Sequence, residues 1–507
     1  MDRRNFLKTG GIALLGSLTT GSAMALATPG ALGGEGADKK ATVALAMNHF
    51  GVSEADLKKV LAAALEKGGD YADLFFEHTI TNSIRLMDGA VNNSYSNIDY
   101  GVGVRVLIGD QSGYAYVENI TLEDMLKAAR TAARIASANK GNKPLNLTEK
   151  VLKKNYYTVA SPWEEVSLKD KMPYLQKLND QIFALDKRVH KVQASQSDTT
   201  SHIFFCNSEG VMFYDYRPMV TLGAVCIMEE NGRTENGYAA RAYRRGFDFL
   251  SDEVVDVIAR EAVDQTSLLF KAIKPKGGEM PVVMGAGGSG ILLHEAIGHT
   301  FEADFNRKNV SIFADQLNKK VCSEHINVVD DGTIPFNRGS VNFDDEGAEG
   351  QKTYLIKDGV LTSYLHDRIS AKHYGVEPTG NGRRESFRNM PIPRMRATYM
   401  EAGNVNESDI ISSVDNFTNG QVQIGAGDFT FFVKSGYMIE DGKLTQPIKD
   451  INIIGNGPKA LADITMVATN AKIDNGTWTC GKDGQSCPVT CGMPSALVSK
   501  LTVGGEN

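Results

Sequence analysis

Cysteine, tryptophan and net positive charge are all scarce in this chain. Six cysteines in 507 residues, Cys206, Cys226, Cys322, Cys480, Cys487 and Cys491, are too few and too scattered for a fold held together by disulfides. Lys and Arg number 54 against 61 Asp and Glu, a formal net charge of −7, which excludes nucleic acid as the main partner because phosphate binding needs a basic surface. No run of residues is long and apolar enough to read as a membrane-spanning helix, so no integral membrane segment is expected. No short-period repeat marks a solenoid. What is there, 42% apolar and 23% charged residues, is the composition of a folded soluble protein, and the length asks for two or three domains rather than one core.

The first residues follow the layout of an export signal. Arg3 and Arg4 form a twin-arginine pair, a modest apolar stretch runs from about Thr9 to Leu18, and small-residue cleavage sites follow at Ala23-Met24-Ala25 and Ala25-Leu26-Ala27. The double arginine points to the Tat route and a periplasmic destination. The expected organisation is a signal over 1–27, a linker over 28–45, an N-terminal mixed α/β domain over 46–275, and a β-rich domain over 276–507.

Capping signatures and turn chemistry give the elements. Ser53 with Asp56 opens a helix to about Lys67, and Thr121 with Asp124 opens another to about Ala136. Further helices are expected near Leu168 to Lys187 and Asp252 to Phe270. Alternating β-branched and aromatic runs fill the remainder, with Asp88-Gly89, Asp358-Gly359 and Asp441-Gly442 as hairpin turns. The overall expectation is an α+β protein whose second half is mostly β, barrel-like, and carries one metal-binding helix.

The chemistry concentrates in "GAGGSGILLHEAIGHTFEADF". His294 and His299 stand five apart rather than the four of the familiar H-E-x-x-H pattern. On a straight helix that spacing turns the two side chains about 140° apart, so they could not share one ion. Either they are unrelated helix residues, or the helix takes up an extra residue as a π-bulge or ends before His299. Gly298 makes an irregular backbone cheap. Glu295 beside His294 is placed to act as a general base on a metal-bound water, although most helix glutamates are simply solvated. A zinc peptidase needs a third ligand and an open position. Glu302, Asp304, His325, Cys322 and the Cys480 group all qualify on chemistry alone. Cys487 and Cys491, spaced C-x₃-C, fit a disulfide, a second metal site or plain core. "GAGGSG" lacks the Lys-Ser/Thr of a phosphate loop. "TGNGRRESFRNMPIPRMR", with Arg383 and Arg384, reads as an ordered loop able to hold a peptide backbone or carboxylate, or as arginines paired with acids.

These stretches resemble a known family. "LLHEAIGHTFEADFNRKNVSIFA", "TGNGRRESFRNMPIPRMRATYM" and "DNGTWTCGKDGQSCPV" are similar to the TldD/PmbA family of peptidases, and to its TldD branch in particular. The resemblance implies an H-E-x-x-x-H metallopeptidase with zinc held by His294, His299 and Cys480, and with Glu295 as acid/base. It implies a short or unfolded peptide as substrate, and a homodimer or a heterodimer with a PmbA/TldE-like subunit. His366, His373 and Tyr374 are further candidates for contacting substrate or stabilising an oxyanion. The competing expectation is a non-catalytic peptide-binding or assembly subunit.

Overall fold

The computed structural model describes residues 42–135, 143–414 and 428–504. The export signal and most of the expected linker lie outside the described residues. A helix not singled out from the sequence, Val43–Phe50, begins within the span expected as linker.

The expected helices form where their caps place them. Ser53 accepts from the Asp56 amide at the start of Glu54–Leu65, and Thr121 accepts from the Asp124 amide at the start of Leu122–Ala132. Leu168–Leu185 and Asp252–Leu269 complete the set. They pack on one seven-stranded sheet built from unusually long strands. Its path runs β3 (Gln111–Val117), β2 (Ala90–Ile108), β1 (Tyr71–Met87), β5 (Val189–Asn207), β6 (Val211–Glu230), β4 (Thr148–Glu149), and β7 (Arg233–Tyr243) also pairs with β6. Val43–Phe50, Glu54–Leu65 and Leu122–Ala132 cover one part of the sheet through Leu57, Val60, Leu61, Met125 and Ala129. Leu168–Leu185 and Asp252–Leu269 cover another through Leu175, Leu178, Ile258 and Ala262.

The second half is a mixed structure, and its sheets do not close into a barrel as expected. A six-stranded sheet runs β11 (Val360–Leu361), β10 (Lys352–Lys357), β9 (Val328–Asp331), β14 (Ala397–Met400), β21 (Thr490–Met493), β18 (Lys472–Asp474). A separate sheet runs β15 (Asp428–Glu440), β16 (Lys443–Asn456), β22 (Ala496–Gly504), β17 (Ile464–Val467), with β8 (Gly278–Met284) also on β22. Two hairpins stand apart: β12 (Gly382–Arg383) with β13 (Ile392–Pro393), and β19 (Thr479–Lys482) with β20 (Gln485–Pro488). Alternation tells which face of a strand is buried, not which strand it pairs with. Closure also requires strands of matched length and stagger, which strands of two to six residues in the first of these sheets do not supply.

Buried ion pairs and aromatic rings lock the two halves together. Arg105 on β2 bonds Asp73 on β1 and, at 2.6 Å, Glu346 of the second half. Arg217 on β6 bonds Asp345 at 2.6 Å. Phe75, Phe205 and Phe213 pack with Phe343 and Phe387 beside these pairs.

Candidate metal centre

The segment carrying the two histidines is not one regular helix. A turn of α-helix, Ile291–Leu293, passes into a π turn over His294–Gly298 and then a 3₁₀ turn over His299–Phe301. The amide of His299 donates to the carbonyl of His294, an i→i+5 bond. A turn closed by an i→i+5 bond brings the side chain of residue i+5 back over that of residue i. The two imidazole centroids are therefore 5.1 Å apart with their planes at 82°. Gly298 serves this turn differently from the expected way. Its backbone is ordinary right-handed helix, φ −56° and ψ −51°, so conformational freedom is not what requires it. Space is: a Cβ there would lie 2.1 Å from Met395 Sδ.

Cys480 reaches the histidines from β19. The turn Asp483-Gly484, with φ of 50° and 75°, folds β20 back on β19 and sets Cys480 directly opposite Cys487. The Sγ of Cys480 lies 3.3 Å from His299 Nε2. One ligand atom from each of His294, His299 and Cys480 falls within 4.8 Å of the others, the only such His/Cys/Asp/Glu grouping among the described residues. His294 and Cys480 are buried and His299 is half-buried. Glu295 is exposed beside them.

Neighbouring residues fix how each donor points. His299 Nδ1–H donates to Glu302 Oε2 at 3.0 Å, which leaves Nε2 facing the thiolate. Glu302 is fully buried and also meets Lys482 Nζ at 3.1 Å. Lys482 in turn bonds Asp304 at 2.7 Å. Burial alone would raise the Glu302 pKa, but Lys482 and His299 outweigh it and hold it at about 2. Arg394 donates to the Cys480 carbonyl and, at 3.4 Å, to Cys487 Sγ.

The donor set fits a metal ion. Burial pushes the Cys480 thiol up, yet the two imidazoles overcome it and pull its pKa down to about 5. Burial likewise opposes charge on His294 and His299, yet the Cys480 thiolate with Glu295 drives His294 upward, and Glu302 with the thiolate drives His299 upward. A thiolate between two imidazoles is thus held together here by protons that a divalent cation would replace. His294 Nδ1 is buried with no hydrogen-bond partner, an orphan polar atom of the kind that calls for an explanation. Two nitrogens and one thiolate sulfur form a set typical of zinc.

The remaining sequence candidates sit elsewhere. Cys322 Sγ contacts the Gly359 carbonyl, and His325 bonds Ser323. Cys487 and Cys491 are unpaired thiols on β20 and β21. Arg383 donates to the carbonyls of Met395 at 2.6 Å and Pro488 at 2.8 Å. Arg384 bonds the Asp345 carbonyl and lies over the Phe75 ring, joining the two halves. His366 is buried against Tyr364 and Tyr374, with its pKa lowered by burial to about 4. His373 is exposed and Tyr374 half-buried. Sequence reasoning did not single out Lys482 or Arg394. The Asp483-Gly484 turn, a D-G pair three residues after Cys480, carries the same hairpin signal as Asp88-Gly89, Asp358-Gly359 and Asp441-Gly442.

A buried two-imidazole, one-thiolate cluster beside a glutamate, on a mixed α/β scaffold, defines a candidate metallopeptidase centre. The chain belongs to the PmbA/TldA metallopeptidase family: the family's domain 1 matches residues 72–136, its central domain 161–270 and its C-terminal domain 277–505. A metalloprotease TldD homolog of Haemophilus influenzae is 40% identical over 86% of this chain and 93% of that protein. A zinc metalloprotease TldD homolog of Saccharolobus solfataricus is 28% identical over 88% of this chain and 99% of that protein. The fold is shared with TldE from Thermococcus kodakarensis, at a TM-score of 0.68 and 20% identity, covering 89% of this chain and all of that one.

Proposed function

We propose that this chain is an exported zinc peptidase that hydrolyses peptide bonds in short or unfolded peptides outside the cytoplasm. The observation that carries the reading is the meeting of His294, His299 and Cys480 within 4.8 Å across a π turn, with Glu295 alongside. The zinc named in the S. solfataricus relative and the donor chemistry both support that metal. Zinc bound there would polarise the scissile carbonyl and make water a nucleophile at neutral pH. Glu295 takes the proton of the attacking water on its carboxylate and hands it to the leaving amine nitrogen. Glu302 keeps His299 Nδ1 protonated and its Nε2 free for the ion, and Lys482 holds Glu302 ionised.

The twin arginines at Arg3 and Arg4 support export by the Tat route to the periplasm. In this reading the chain works as a homodimer or as a heterodimer with a PmbA/TldE-like subunit, the TldE structure sharing its fold. The intact metal-ligand set favours a catalytic chain over a non-catalytic peptide-binding subunit. Glu295→Gln tests the assignment: zinc content should stay at the native level while peptide cleavage falls by about 100-fold or more. A variant that keeps its zinc and cleaves at the native rate refutes Glu295 as the base.

A further inference from the structure

Three arginines near the Cys480 hairpin form no salt bridge among the described residues, although Asp215 lies close enough to Arg244 to favour its charge. Arg244 is only 4% exposed, its guanidinium lies over the Tyr157 ring, and its Nε has no hydrogen-bond partner. Arg338 spends Nε on the Trp478 carbonyl at 3.0 Å and Nη2 on Thr479 Oγ1 at 3.3 Å. Arg383, equally buried, donates to two carbonyls. None of the three forms an ion pair among the described residues. Several other arginines do, Arg105 with Asp73 and Glu346, Arg217 with Asp215 and Asp345, and Arg396 with Asp330, whereas fully buried Arg394, beside the same hairpin, also donates only to neutral acceptors.

The backbone brings the three together. The Trp478 carbonyl accepts from both Arg338 and the Val489 amide, while the carbonyl of Pro488, one residue earlier, accepts from Arg383. Arg244 is tied to the same place by its own amide, which donates to Phe336 two residues before Arg338. Burial, and after it the charge of Arg383 on both and of Arg244 on Arg338, lowers Arg244 and Arg338 to about 10, although Tyr157 and Asp215 pull Arg244 the other way. Buried charge without a counter-ion is expensive, and a planar guanidinium fork matches a carboxylate. Arg338 and Thr479 keep the place open to solvent at one edge.

We propose that Arg244, Arg338 and Arg383 form a carboxylate-binding subsite that selects peptide substrates bearing a negative charge. This rests on the peptidase reading, with the subsite on the strand that carries the metal ligand Cys480. The carboxylate is either the C-terminus of the peptide or an acidic side chain.

Three probes separate these sources: acetyl-tetraalanine as the free acid, the same peptide as its C-terminal amide, and an amide carrying one internal glutamate. Binding is measured calorimetrically on the full-length Glu295→Gln chain, with and without zinc. The free acid should bind at least about tenfold more tightly than the neutral amide, because charge-assisted bonds to arginine are lost in the latter. Arg338→Gln and Arg244→Gln should each erase most of that preference, and Arg338→Lys should keep part of it. If the glutamate-bearing amide matches the free acid, the subsite takes side-chain carboxylates; if it binds like the neutral amide, the subsite reads the chain terminus. Equal binding of acid and neutral amide by the parent chain, no binding of either, or a preference that survives both glutamine variants overturns the proposal. A chain that binds no zinc and cleaves nothing yet still prefers the acid would refute the peptidase reading and leave the subsite standing.

Discussion

Replacing Gly298 with alanine puts a methyl group where Met395 already sits. The new Cβ would be 2.1 Å from Met395 Sδ and 3.0 Å from its Cε, against a comfortable separation of about 3.5–4.0 Å between such atoms. Met395 is fully buried, so it cannot swing into solvent to make room. Overpacking of this kind costs about 1–3 kcal/mol, and the helix propensity of alanine returns up to about 1 kcal/mol. A modest net loss of stability is expected, with the displacement falling on the π turn that brings His294 and His299 together. Zinc affinity should therefore fall more than stability does. Met395→Ala alone leaves a cavity and costs about 2–5 kcal/mol. In the double variant the added methyl enters that cavity, so the combined loss should be at least about 1 kcal/mol smaller than the sum, and zinc affinity should recover. Urea unfolding in chelator gives the stabilities, and competition with a chromogenic chelator gives the affinities. Strict additivity, together with native zinc affinity in Gly298→Ala, would refute the packing account of this turn.

Glu302→Gln should weaken zinc binding by about 10–100-fold without touching a ligand, because it unfixes His299 Nδ1; equal zinc affinity in competition assays would count against that role. Glu77 is buried, its carboxylate accepts from Thr79 and the Phe387 amide, and burial raises its pKa from 4.5 to about 7. The native state then holds a proton there that the unfolded state has already lost. Its contribution is fully present below about pH 4.5 and disappears as pH rises through 7, a span worth about 3 kcal/mol. Glu77→Gln should flatten that part of the stability profile between pH 5 and pH 8 in urea titrations; an unchanged slope would refute it.

Much of the architecture was legible where a local rule decides the outcome. Ser53 and Thr121 cap helices because a hydroxyl satisfies an amide three residues on, and that needs no knowledge of the rest of the chain. Asp88-Gly89, Asp358-Gly359 and Asp441-Gly442 all adopt positive φ and close hairpins for the same reason. The spacing of His294 and His299 already demanded either an irregular turn or no shared site. What stayed hidden depends on distant pairing. Nothing local says that β14 lies parallel to β21, so the strand pattern suggests a barrel where the sheets are open. Glu302 looked like a ligand and is instead bonded to one, a distinction set by Lys482, which lies far along the chain. Arg244 and Arg338 are nearly a hundred residues apart, and their lack of salt bridges is invisible until the chain is folded.

The seven-stranded sheet has a consequence for how the chain is made. β1 pairs residue by residue with β5, which begins at Val189, so one side of β1 has no partner when the first helices are complete. At the usual pace of translation, the stretch from Ile135 to Asn207 occupies the ribosome for about 4–14 s. Through that interval the nascent chain shows a strand edge open to the cell. Along its outer half the hydroxyl- and amide-bearing Thr79, Thr81, Asn82 and Ser83 interrupt the apolar Ile80 and Ile84, which makes a waiting strand a poorer template for a stranger.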